Sequence, residues 1–124
     1  GSGDFSAAEL YADALQMGPH TGTECAMIVE TALFTVREQD AGLFRQTFAG
    51  ARRFIETSEG FCRLEMHQGI EAPNTFILLV WWQTLEDHTV TFKQSENFTR
   101  WRAEIGHLFA APPVVSHYTV DPAA

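Results

Sequence analysis

The stretch from Thr75 to Phe98 reads TFILLVWWQTLEDHTVTFKQSENF and constrains the chain more than any other. Residues 76–82 are apolar at every position. A strand alternates its side chains between two faces, so a run apolar on both faces must be central in its sheet or covered on both sides. Thr84 then stands as a helix cap before Leu85, Glu86, Asp87 and His88. Ser95 is a second cap and restarts the helix at Glu96-Asn97-Phe98. One histidine therefore sits at a strand-to-helix junction beside a Trp pair, a setting suited to chemistry on a flat aromatic molecule.

The 124 residues suffice for one domain with one core, and ten phenylalanines make ring packing dominant in it. The net charge is −8 with only eight Lys and Arg. Nucleic acid and anionic membrane both require clustered basic charge, so neither is expected as a partner. No apolar run reaches the ~20 residues that span a bilayer, and no charged n-region precedes an apolar h-region. Cys25 and Cys62 are far apart and form no CxxC, which favours two buried or idle thiols in a reduced, cytoplasmic protein. Gly1-Ser2-Gly3 resembles a tag remnant.

Residues 1–24 are expected to be an N-terminal extension. Within it Phe5, Leu10, Ala14 and Met17 share a helical stripe, ended by Gly18-Pro19. The domain proper spans residues 25–120, and residues 121–124 form a short tail. A first strand is expected over about 26–36, with Ile28, Glu30, Ala32, Phe34 and Val36 on one face. A helix follows Asp40, its stripe made by Phe44, Phe48, Ala51 and Ile55, with Gly60 as the C-cap. In residues 61–68, Cys62, Leu64 and Met66 alternate with Arg63, Glu65 and His67. After the third strand the second helix carries Phe98, Trp101, Ile105 and Leu108, and Pro112-Pro113 stops it. Val114 to Val120 is a last alternating strand.

The order β-α-β-β-α-β is the ferredoxin-like split β-α-β arrangement, an α+β fold whose antiparallel sheet carries two helices on one face. The other face would expose large apolar side chains, so a homodimer is expected, with a cavity between or above the sheets.

His88 could act as a base or as a donor to a ligand oxygen; the alternative is a histidine that holds the junction. The helix N-terminus disfavours imidazolium while Glu86 and Asp87 favour it, which leaves its protonation open. Trp81 and Trp82 point to opposite faces: one is core, and the other could stack on a planar ligand. Arg63 could steady a phenolate and His67 could relay a proton, but an interface salt-bridge network or a solvated edge is the favoured role of that strand face. Glu30, an odd acid in an apolar run, could pair with Arg63 across the sheet or lie exposed at an edge. His20 and His107 read as surface groups. No metal-ligand spacing, phosphate loop or dinucleotide fingerprint occurs.

Several of these residues together resemble the antibiotic biosynthesis monooxygenase family, whose members are dimeric α+β barrels. The resemblance is carried by Trp82-Gln83-Thr84, Leu85 to His88, Phe92, Ser95, Phe98, Trp101-Arg102, Pro112-Pro113 and His117-Tyr118. It covers roughly residues 25–120 and nothing before them. It implies a cofactor-independent monooxygenase that uses O2 without metal or flavin on a hydrophobic aromatic, a polyketide-like phenol or anthrone, in secondary metabolism. The phenol would be deprotonated, its anion would give an electron to oxygen, and recombination with loss of water would leave a quinone. His88 is then the catalytic candidate, with Trp82, Trp81, Arg63, His67 and Phe92 as substrate-binding candidates. The family's common His117 and Tyr118 suggest structural duty as much as catalysis. Three alternatives stand beside this: a polyketide cyclase, a non-catalytic small-molecule-binding dimer, and haem degradation. Haem degradation fits least, because that branch uses an Asn on the first strand and residues 27–36 contain none.

Overall fold

The structure is a computed structural model and describes residues 26–121. The expected extension, residues 1–24 with His20, lies outside the described residues. Four strands form one antiparallel sheet: β1 (Ile28–Thr35), β2 (Phe61–Gln68), β3 (Thr75–Trp82) and β4 (Val114–Thr119). Their spatial order is β2-β3-β1-β4, which is the expected ferredoxin-like arrangement. β3 is central, as its two apolar faces require.

Pairing fixes which residues share a face. Glu30 lies opposite Val80 on β3 and opposite His117 on β4. The even positions of β1 and β3 therefore face one side together: Glu30, Ala32 and Phe34 with Phe76, Leu78, Val80 and Trp82, all buried. Helix α1 (Ala41–Ala51) and the short α2 (Arg53–Glu56) cover one end of this side. Phe44, Phe48, Ala51 and Ile55 are the buried stripe, as their spacing predicts. The predicted single helix is in fact two segments separated at Arg52.

Gly60 closes the turn into β2 with φ of 82°. A Cβ at this position would collide with the Asp87 carboxylate, so glycine is required by both conformation and space. This contact ties the start of β2 to the segment that carries His88.

Thr84 begins that segment as expected. Its Oγ1 accepts from the Asp87 amide at 3.1 Å, and Asp87 Oδ2 accepts from the Thr84 amide at 3.1 Å. This is a reciprocal capping box. The turns that follow are π-helical from Asp87 to Phe92, where an α-helix was expected. The Lys93 amide reaches back five residues to the His88 carbonyl. Side-chain periodicity carries no signature of one widened turn, and such turns recur at functional sites. Ser95 then caps α3 (Glu96–Ile105), its Oγ accepting from the Phe98 amide at 3.2 Å. Trp101 and Ile105 bury the α3 stripe, and Leu108 is buried in the 3-10 turn Gly106–Leu108 that follows.

The opposite face of the sheet carries no helix. Leu33, Ile77, Val114 and Tyr118 are exposed there. Arg63 lies 4.0 Å over the Trp81 ring, and Glu65 binds both Arg63 at 2.6 Å and His67 at 3.0 Å.

Candidate functional site

A cavity of about 190 Å³ lies between the helix-covered side of the sheet and α3. The cavity expected between or above the sheets of a dimer involves a second copy; this one lies within the chain, on the helical side, among the aromatic side chains of α3. Phe34, Phe92, Phe98, Trp101 and Phe109 make its walls largely aromatic. Its polar end is formed by Glu30, Trp82 and His88.

Glu30 is 6 % exposed and His88 3 % exposed. Glu30 Oε1 accepts from Trp82 Nε1–H at 3.0 Å. Glu30 Oε2 lies 3.4 Å from His88 Nε2. His88 Nδ1 meets His117 Nε2 at 2.8 Å. Three titratable groups from β1, the π-helical turn and β4 thus form one chain. Its middle imidazole stacks on Trp82, with ring centroids 5.5 Å apart, and on Phe92 at 6.0 Å.

Burial sets the protonation of this chain. It raises the Glu30 carboxyl from 4.5 to about 7, against the opposing pull of the Trp82 hydrogen bond and the Lys93 charge. It lowers His88 from 6.5 to about 4, helped by His117 and Lys93. His117 is also lowered, by burial and then by Lys93. His88 is therefore neutral at pH 7, which answers the question left open by the helix terminus and the nearby acids. Asp87 is turned into the cap, and Glu86 is exposed.

At 3.4 Å the Glu30 carboxyl and His88 Nε2 are in electrostatic contact, while His88 Nδ1 and His117 Nε2 share one hydrogen bond whose donor is set by the tautomers. A proton taken up at His88 can therefore be passed to His117, so the site can take a proton from a ligand and pass it toward β4. Among the described residues no group of three His, Cys, Asp or Glu side chains is arranged to hold a metal ion.

Of the residues proposed from the sequence, His88, Trp82 and Phe92 meet at this cavity. Trp81, Arg63 and His67 do not: they lie on the open face, with the sheet between them and His88. Glu30 is on the helix side, so it cannot pair with Arg63, and it is buried rather than at an edge. Its role was readable in principle, because its even position puts it on the face of Ala32 and Phe34, where a lone acid needs partners. His117 has the same parity argument, whereas Tyr118 points the other way and is 58 % exposed. His107 is exposed, as expected. Cys62 corrects another expectation: it is disulfide-bonded rather than an idle thiol. Cys25, the chain's other cysteine, lies outside the described residues. A disulfide removes the ground for a reducing compartment. No helix among the described residues is long and apolar enough to cross a membrane.

The fold and site define a class: a ferredoxin-like α+β domain holding a buried carboxylate–imidazole chain over an aromatic cavity. The family model described as antibiotic biosynthesis monooxygenase matches residues 27–104, and the chain belongs to that family. A crystal structure from Bordetella bronchiseptica, described as a candidate antibiotic biosynthesis monooxygenase, is 36 % identical. It superposes with a TM-score of 0.72, covering 75 % of this chain and 95 % of that one. The uncharacterised protein YczJ of Bacillus subtilis is 29 % identical over 92 residues, which cover 74 % of this chain and 97 % of YczJ. A candidate monooxygenase of the same description from Nitrosomonas europaea is 20 % identical with a TM-score of 0.64, covering 74 % and 96 %, and shares the fold.

Proposed function

We propose that this protein oxidises a hydrophobic aromatic phenol or anthrone with O2, without a cofactor, in the cavity beside His88. The reading rests on one observation: Glu30 and His88, the latter bonded to His117, line an aromatic cavity. Ionised Glu30, or His88 backed by it, takes the substrate proton. The resulting anion gives one electron to O2, and the radical pair recombines to a peroxide anion on the substrate carbon. The abstracted proton returns to the peroxide oxygen. Loss of water leaves a carbonyl, so that one ring methylene and one O2 become one ring carbonyl and one water. Trp82 and Phe92 hold the aromatic plane against the imidazole. The substrate supplies the electrons; the protein supplies orientation and the proton path.

The open sheet face, with Leu33, Ile77, Val114 and Tyr118 exposed, suits a second copy of the chain. Trp81, Arg63 and His67 belong to that interface in this reading, and light scattering checks it by the mass in solution.

The test is oxygen consumption by metal-stripped protein with anthrones, naphthols and hydroquinones, beside His88→Ala and Glu30→Gln. Uptake that falls at least ~100-fold in both variants is expected. Uptake equal to wild type in both would place the chemistry elsewhere. Ligand binding without any uptake would favour a non-catalytic binding dimer or a cyclase.

A further inference from the structure

The chain carries eight Lys and Arg against a net charge of −8, so carboxylate partners are plentiful. Five cations use them: Arg37 with Asp40, Arg52 with Glu56, Arg53 with Glu104, Arg63 with Glu65, and Arg100 with Glu96. Arg45, Lys93 and Arg102 form no ion pair with a carboxylate among the described residues, although the Lys93 charge is felt at Glu30. Two of these three, Lys93 and Arg102, line the same cavity. They come from different elements, the end of the π-helical turn and the middle of α3. Both approach one ring: the Lys93 ammonium is 6.0 Å and the Arg102 guanidinium 5.8 Å from the Phe98 centroid.

Cations on a merely solvated surface of an acidic protein would be free to find carboxylates. Here two remain open together where an aromatic cavity meets solvent. The Lys93 charge also reaches inward, since it lowers the proton affinity of Glu30, His88 and His117. The cavity's depth and its mouth therefore call for different parts of one ligand: a flat apolar body inside and a negative group outside. The volume of about 190 Å³ lies below the roughly 300–1,000 Å³ of pockets for drug-sized ligands, so the enclosed part of a ligand is one or two rings, and a third ring of a larger substrate lies at the open mouth.

We propose that the cavity takes compact aromatic anions, the rings lying among Trp82, Phe92 and Trp101 and the carboxylate held at the mouth by Lys93 and Arg102. This rests on the reading of the cavity as the ligand site and adds the ligand's charge and size.

The probes are 2-naphthoate and 2-naphthol, which share a ring body and differ in charge at pH 7. Binding is read by quenching of tryptophan fluorescence at low salt, because Trp82 and Trp101 line the cavity. Naphthoate should bind about tenfold tighter than naphthol, as expected for one screened charge contact. The double variant Lys93→Gln/Arg102→Gln should lose this preference and keep its naphthol affinity within about twofold. Both residues are exposed, so the variant should fold, and circular dichroism verifies that. Arg45→Gln should retain the full preference. Equal binding of the two probes by wild type, a preference that survives in the double variant, or no naphthoate binding at millimolar concentration would each overturn the proposal. Naphthoate has no phenolic hydroxyl, so this result is independent of oxygen chemistry. A naphthoate preference in a protein that consumes no oxygen keeps the anion site and removes the oxygenase.

Discussion

Replacing Glu30 by Gln should stabilise the protein at pH 8 and leave its stability nearly unchanged at pH 4.5. Gln retains an oxygen to accept from Trp82 Nε1–H and has almost the same volume, so the substitution chiefly removes a titration. In the folded protein the Glu30 carboxyl binds its proton up to about pH 7, but in the unfolded chain only up to its ordinary value of 4.5. Between these values the folded state holds more protons than the unfolded state, so stability falls as pH rises. The full loss is about 3 kcal/mol, at about 1.4 kcal/mol per decade. It is complete above pH 7 and absent below pH 4.5. Chemical denaturation of both proteins at intervals from pH 4.5 to 8 measures the difference. His88 contributes with the opposite sign in both proteins: its lowered value makes stability fall as pH drops from 6.5 toward 4, and this largely cancels in the comparison. The expected outcome is near-identical stability at the acid end and a Gln variant more stable by about 3 kcal/mol at pH 8, on the order of 10 °C in Tm. A difference that does not change with pH, or one that favours wild type as pH rises, would refute the claim that burial governs this carboxyl.

Three further outcomes follow from the same geometry. Trp82→Phe removes the Nε1–H donor that holds Glu30 down, so Glu30 should titrate above its wild-type value; infrared observation of its carboxyl band decides this, and an unmoved band would mean that the bond has no electrostatic weight. Gly60→Ala should cost about 1–3 kcal/mol, because a Cβ meets Asp87 and φ is 82°; a change below the error of a thermal melt would show that the turn relaxes freely. Protein purified without reductant should leave Cys62 unreactive to a thiol reagent until reduced, and full labelling before reduction would restore the free-thiol reading.

By itself the sequence determined the element order, the two caps and the buried stripes, because each is a local pattern. Strand parity, helical spacing, Thr84 and Ser95 all act within a few residues of where they stand. It also singled out His88, Trp82 and Phe92, which are near neighbours along one segment. What joins them into a site is not local. Glu30 reaches His88 from a different strand, and His117 joins from the last one, so both depended on the β2-β3-β1-β4 pairing that puts Val80 and His117 on either side of Glu30. The split between Trp82 and Trp81 likewise needed the register, since alternation states only that the two point apart. The π-helical turn at His88 left no mark in the side-chain pattern, and that Lys93 and Arg102 line the cavity needed the placement of α3 against the sheet. Propensity and periodicity describe one element at a time, and the chemistry here lies where several of them converge.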